Sequence, residues 1–127
     1  MLILPIVGFL PATDHRMGAT IDAIEQRLGA SGLVRRWADD PSGFLICTFW
    51  LVEQYARSGR VEDAGELLEQ LAGYANDLGL YAEEFDPASG RLAGNFPQAF
   101  SHLGFIRAVD AVVRARAGVD LTDRLQA

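Results

Sequence analysis

The chain has 127 residues, with 11 basic side chains against 17 acidic ones and a formal net charge of −6. That length fits one domain of ordinary size, and a chain that is 50% hydrophobic and 22% charged is globular, not disordered. The acidic balance argues against a nucleic-acid partner, because binding a phosphate backbone requires clustered cations.

Cys47 is the only cysteine, which excludes an internal disulfide and a thiolate metal cluster. It lies in the apolar run Phe44–Val52 and reads as a small buried hydrophobe. A reducing, cytoplasmic setting fits this cysteine usage.

The N-terminus opens on Met1-Leu-Ile-Leu-Pro5, with no basic lead and with Pro5 and Gly8 interrupting the apolar run. It is a poor secretory signal and about half the length of a membrane span, so no membrane partner is expected. The abrupt apolar beginning reads as a severed start; the alternative is an ordinary buried N-terminal segment.

A first helix is expected next, capped by Thr13 or Asp14, with Met17, Ile21, Ile24 and Leu28 on one face and Gly29 ending it. Residues Gly29–Gly43 read as a loop, briefly extended at Leu33–Trp37. The second predicted helix, Ser42–Ser58, is apolar on every side in its first half, which marks burial around most of its circumference. Gly59-Arg60 then leads into a third helix, Val61–Asp77, so that helices two and three form an antiparallel hairpin. Leu78–Phe96 is irregular around the turn Asp86–Gly90, with short strands flanking that turn.

Pro97 suits the first position of a last helix reaching Ala117. Phe100, Leu103, Ile106, Val109 and Val113 form its expected core face, and Arg107, Arg114 and Arg116 its wet one. Gly118 ends the helix, and the tail Asp120–Ala127 has little to bury. Trp50 has no counterpart one helical repeat away, which argues against a tandem array.

The candidate chemistry lies in the long loop and just after it. Glu83 and Glu84 stand between Tyr81 and Phe85, where an aromatic shields a carboxylate from water; adjacent loop acids are otherwise ordinary solvated residues. In an extended segment two neighbouring side chains point opposite ways, so one of the pair faces a cleft. His102 reads as a hydrogen-bonded structural residue, since only His15 accompanies it and no metal-binding spacing is present. Ser101 lacks the glycine-flanked elbow of a nucleophilic serine. No metal site and no cofactor are expected.

Three segments together resemble the C-terminal part of glycoside hydrolase family fifteen, the glucoamylase and bacterial trehalase-like enzymes. They are Gly43-Phe-Leu-Ile-Cys-Thr-Phe-Trp-Leu-Val-Glu53, Ala75-Asn-Asp-Leu-Gly-Leu-Tyr-Ala-Glu-Glu-Phe-Asp-Pro87 and Gly94-Asn-Phe-Pro-Gln-Ala-Phe-Ser-His102. The opening Leu4–Pro11 and the connection Ser58–Ala64 match as well. The resemblance covers residues 1–117, with 118–127 left as a polar tail.

The resemblance implies an all-α fold in which about four helices form part of an (α/α)₆ toroid. It also implies inverting hydrolysis of α-glucosides, either starch-type oligosaccharides or trehalose. By the family pattern Glu83 is the general base, with Glu84 as fallback, and the pair Arg36-Trp37 contacts substrate. The stretch between Arg36 and Phe44 is shorter than is common in the family. Trp50 and Glu53 also lie in a matched segment and are assigned structure.

The general acid of the family lies on an earlier segment than any of these, and Glu25, Asp39 and Glu53 have nothing to set them opposite Glu83. The resemblance therefore implies a chain inactive alone, whose partner is the remainder of a catalytic domain. The alternative is a non-catalytic helical module associating with a copy of itself.

Overall fold

The computed structural model describes residues 1–121, and these contain helices α1 (His15–Leu28), α2 (Leu45–Arg57), α3 (Val61–Ala72) and α4 (Ala99–Arg116). Two small antiparallel sheets join them, so the described part is not purely helical as expected. Strand β1 (Gly29–Ala30) pairs with β2 (Leu33–Val34), and β4 (Glu84–Asp86) lies between β3 (Gly43–Phe44) and β5 (Arg91–Ala93). No described helix is long and apolar enough to cross a membrane.

Local chemistry explains most boundaries. Asp14, one of the two expected caps, starts α1 by accepting from the Arg16 backbone N–H at 2.9 Å. Leu33 and Val34 are extended as expected, while Arg35–Trp37 are not in a strand. Helix α2 begins at Leu45 rather than Ser42, because Gly43 and Phe44 pair with Phe85 and Glu84. Helix α3 stops at Ala72, short of Asp77. Asn76 instead organises the following turn, its Oδ1 accepting from Leu78 N–H at 3.0 Å and Leu80 N–H at 2.8 Å. The expected strands flank the Asp86–Gly90 turn as β4 and β5.

The core is built on α2, whose Leu45, Phe49 and Val52 are fully enclosed and which packs against α3 and α4. Cys47 does not share that enclosure: it is half-buried, though burial still pushes its thiol up. Trp50 is likewise half-buried against the core. The N-terminal segment is tied to α2 by Gln54, whose Nε2 donates to the Leu2 carbonyl at 2.9 Å.

Helix α4 departs most from expectation. It begins at Ala99, not Pro97, since the Gln98 backbone is extended and donates to the Tyr81 carbonyl at 2.9 Å. Its buried residues are Ser101, Gly104, Ala108, Ala111 and Val112. The stripe expected to be core is largely exposed: Phe100 63%, Leu103 55%, Ile106 63% and Val113 60%. Small residues face α2 because the two helices approach closely. A Cβ on Gly104 would stand 3.0 Å from the Phe49 Cβ.

Arg107 is not simply wet either, because its guanidinium reaches Glu53 on α2 at 2.8 Å. The tail also buries more than expected. Leu121 is in the core cluster and its carbonyl accepts from Arg57 at 2.8 Å, while residues 122–127 of the expected polar tail lie outside the described residues.

This inversion has a measurable consequence. Leu45→Ala removes a fully enclosed side chain and should lower the unfolding free energy by about 2–5 kcal/mol. Phe100→Ala, on the stripe that periodicity marks as core, should change it by less than about 0.5 kcal/mol in the same urea titration.

Candidate functional site

Strand β4 and the residues just before it carry the two acids. Every peptide group flanking the Glu83 side chain is engaged: its N–H donates to the Asn95 carbonyl at 2.8 Å, and its carbonyl accepts from Leu45 N–H at 3.1 Å. The residue is thereby fixed between the segment after β5 and the first residue of α2. Neither neighbour needs a particular side chain to make these two contacts, which join backbone to backbone.

The Glu83 carboxylate is held in turn. Its Oε2 accepts from the Asn95 backbone N–H at 3.2 Å and from Asn95 Nδ2 at 3.0 Å. Gly94 makes the approach possible, with φ of +71° and space in which a Cβ would stand 2.9 Å from Glu83 Oε2. In the sequence Asn95 stands out only as part of the segment Gly94–His102. The glycine before it was the one sequence signal of its role.

Arg36 closes the other side. Its guanidinium pairs closely with Glu84 through Nη2, and its Nη1 lies 3.8 Å from Glu83 Oε1. Its Nε stands 3.7 Å from Asp40 Oδ2. The same cation lies 4.5 Å from the Phe44 ring centroid and 4.9 Å from that of Trp37. The structure therefore brings Arg36, Glu83 and Glu84 together, with both carboxylates turned to one cation rather than to opposite sides. Trp37 stands at the edge of the group, 55% exposed.

Asp40, which no sequence motif singles out, is a further participant. It is buried, its Oδ1 accepts from Ser42 N–H at 3.2 Å, and its Oδ2 has no hydrogen-bond partner among the described residues. Only the long ion pair with Arg36 serves that oxygen, so one guanidinium answers three carboxylates. Desolvation offsets much of the attraction in such a group, so it is weak evidence for added stability.

The other acids considered have different occupations. Glu25 accepts from the Tyr55 hydroxyl and pairs with Arg60 at 3.4 Å, and burial, with Glu25 beside it, pushes the Tyr55 hydroxyl up. Glu53 is bound between Arg57 and Arg107. His102 and Ser101 face the backbone of the loop: Tyr81 N–H donates to His102 Nε2 at 3.2 Å, and Ser101 Oγ donates to the Ala82 carbonyl at 2.6 Å. Among the described residues no three His, Cys, Asp or Glu side chains converge to hold a metal ion.

The hairpin beyond the site is locked by Asp86. The Ser89 hydroxyl, and after it the Ala88 N–H, hold its carboxyl below the usual carboxylate range. A lowered carboxyl contributes stability above its unfolded-state pKa and loses it as pH falls through the folded one. Asp86→Asn should flatten the fall of the thermal midpoint as pH drops below about 4.

Gly94→Ala tests the other support. The added methyl forces the carboxylate of Glu83 away, so the Asn95 side-chain amide resonances should shift and the thermal midpoint should fall. An unchanged Asn95 spectrum would show that the contact is not made.

A family model described as "Glycosyl hydrolases family 15" matches residues 1–110. The chain is 43% identical to a trehalase of Mycolicibacterium smegmatis over 129 aligned positions, which cover 94% of this chain and 19% of that protein. It is 43% identical to a trehalase of Mycobacterium tuberculosis, covering 99% of this chain and 20% of that protein. A trehalase of Thermoplasma volcanium is 45% identical over 84% of this chain and 18% of its own length. The chain thus spans about a fifth of the curated relatives it matches. No solved structure matches it.

Proposed function

The chain belongs to glycosyl hydrolases family 15, and from that membership we propose that Glu83 is the general base of an inverting α-glucoside hydrolase with trehalose as substrate. The observation that carries this reading is the support around Glu83. One oxygen is oriented by two donors of Asn95, and the other lies 3.8 Å from the Arg36 guanidinium. These are donors and a cation, the company that an anionic acceptor requires.

In the proposed reaction the Glu83 carboxylate takes a proton from water as its oxygen attacks the anomeric carbon. The bond to the leaving oxygen breaks, and a protonated carboxyl on the opposite face of the sugar supplies that oxygen with its proton. One sugar emerges with inverted configuration. Arg36 and Trp37 contact the substrate, the guanidinium through sugar hydroxyls and the indole by covering a pyranose face. Glu84, paired closely with Arg36, is better suited to holding that cation than to receiving a proton.

The proton-donating carboxyl is assigned to the part of the relatives that this chain does not span. The same part is proposed to cover the exposed α4 stripe and to complete an (α/α)₆ toroid, with residues 1–117 as the C-terminal segment of that domain. Apolar faces of this size on a helix ordinarily meet a partner. A second copy of the chain is the alternative occupant, and the chain would then be a non-catalytic, self-associating module.

The test is an exchange in which residues 1–127 replace the aligned segment of the Mycolicibacterium smegmatis trehalase. The hybrid should hydrolyse trehalose, and Glu83→Gln should lower its kcat by about 10²–10⁴-fold while Glu84→Gln lowers it by less than about tenfold. An active hybrid indifferent to Glu83→Gln would remove the base assignment. The isolated chain is expected to be silent on trehalose, and turnover by it alone would remove the need for a completing segment.

A further inference from the structure

The start of α4 meets the two residues that lead into the acidic pair, Tyr81 and Ala82, through three hydrogen bonds. Gln98 N–H donates to the Tyr81 carbonyl at 2.9 Å, Ser101 Oγ to the Ala82 carbonyl at 2.6 Å, and Tyr81 N–H to His102 Nε2 at 3.2 Å. The rings of Tyr81 and His102 also meet edge to face, with centroids 5.5 Å apart. Two of these contacts use a carbonyl as acceptor, which almost any neighbour can satisfy. The third is different in kind, because a buried backbone N–H is answered by a ring nitrogen. Tyr81 is buried at 2% exposure, so in the folded protein its N–H is answered by this ring nitrogen.

We propose that His102 is a positioning residue for Glu83, acting as a latch between α4 and the segment that carries the base. The inference rests on the reading of Glu83 as base but concerns a different bond. Only an imidazole whose Nε2 carries no proton can accept the Tyr81 N–H, so the ring is the tautomer protonated at Nδ1. With that bond made, Tyr81 is held through both its peptide groups. Glu83 then follows two residues later, with its own N–H on Asn95. Releasing the latch removes one of three ties on the α4 side, leaving those from Gln98 and Ser101, and so loosens Tyr81 and the two residues that follow it while Asn95 and Leu45 still hold Glu83.

The latch is legible without turnover, in the 127-residue chain itself. Nitrogen-15 spectra should show His102 Nε2 unprotonated and Nδ1 protonated at neutral pH. His102→Ala leaves α4 intact, since alanine is the better helix former. It should speed hydrogen exchange at the Tyr81 and Glu83 amides by about tenfold or more relative to amides in the middle of α2. His102→Gln places a carbonyl acceptor in reach and should restore much of that protection, which mere filling of space would not do. The opposite tautomer, or equal exchange in all three proteins, would overturn the proposal. Should His102→Ala fail to fold, the tautomer and the glutamine variant still decide it. An active hybrid trehalase that tolerates Glu83→Gln would refute the base while leaving this bond standing, so the two failures are distinct.

Discussion

Glu53 lies between α2 and α4 at 2% exposure, and its two oxygens are shared by Arg57 on its own helix and Arg107 on the next. An acid taken so far out of water must keep its cations, and removing one member of such a group typically destabilises a protein by about 3–5 kcal/mol. Arg57 extends the connection by donating to the Leu121 carbonyl. The ion group thus sets the rotation of α4, and Gly104 against Phe49 sets how near it comes. Phe49 in turn meets Tyr81 and Phe105 edge to face, at 5.4 Å and 5.8 Å between centroids. Everything at the candidate site depends on this pairing. The first turn of α4 holds Tyr81 and Ala82, the start of α2 holds the Glu83 carbonyl, and β4 runs on from there.

The same pairing explains the unusual character of α4. A helix serving a single core carries its large apolar residues on the face it buries. Here the buried residues are mostly small, Ser101, Gly104, Ala108 and Ala111 with Val112, while Phe100, Leu103 and Ile106 are exposed. Helix α4 thus carries a second, bulkier apolar stripe that the described residues leave exposed, in a chain that spans about a fifth of its relatives.

Legibility in the sequence followed the reach of the forces involved. Local chemistry was readable: the Asp14 cap, the Asp86–Gly90 turn with its strands, and a helix α2 apolar around its circumference. Boundaries decided by distant backbone were not. Nothing near Ser42 announces that Gly43 and Phe44 are taken by β4, nor does Pro97 reveal that Gln98 is drawn to Tyr81. Periodicity found the apolar stripe of α4 but is silent on which neighbours are present to cover it. At the site, the resemblance singled out Glu83, Glu84, Arg36 and Trp37, but the expectation that the two acids point opposite ways missed that both turn to Arg36. The three-carboxylate arrangement around Arg36, and the roles of Asp40 and Asn95 in it, needed the fold, because those residues come from separate turns.

The central claim is that Glu83 activates water only with a second carboxyl facing it from a segment outside these residues. A crystal structure of the hybrid trehalase with a non-hydrolysable trehalose analogue tests it most directly. The claim requires a water within hydrogen-bond reach of Glu83, beneath the anomeric carbon, and an acid about 6.5–9.5 Å away across the sugar. Glu83 still bound to Asn95 and Arg36 with the sugar held elsewhere would contradict it.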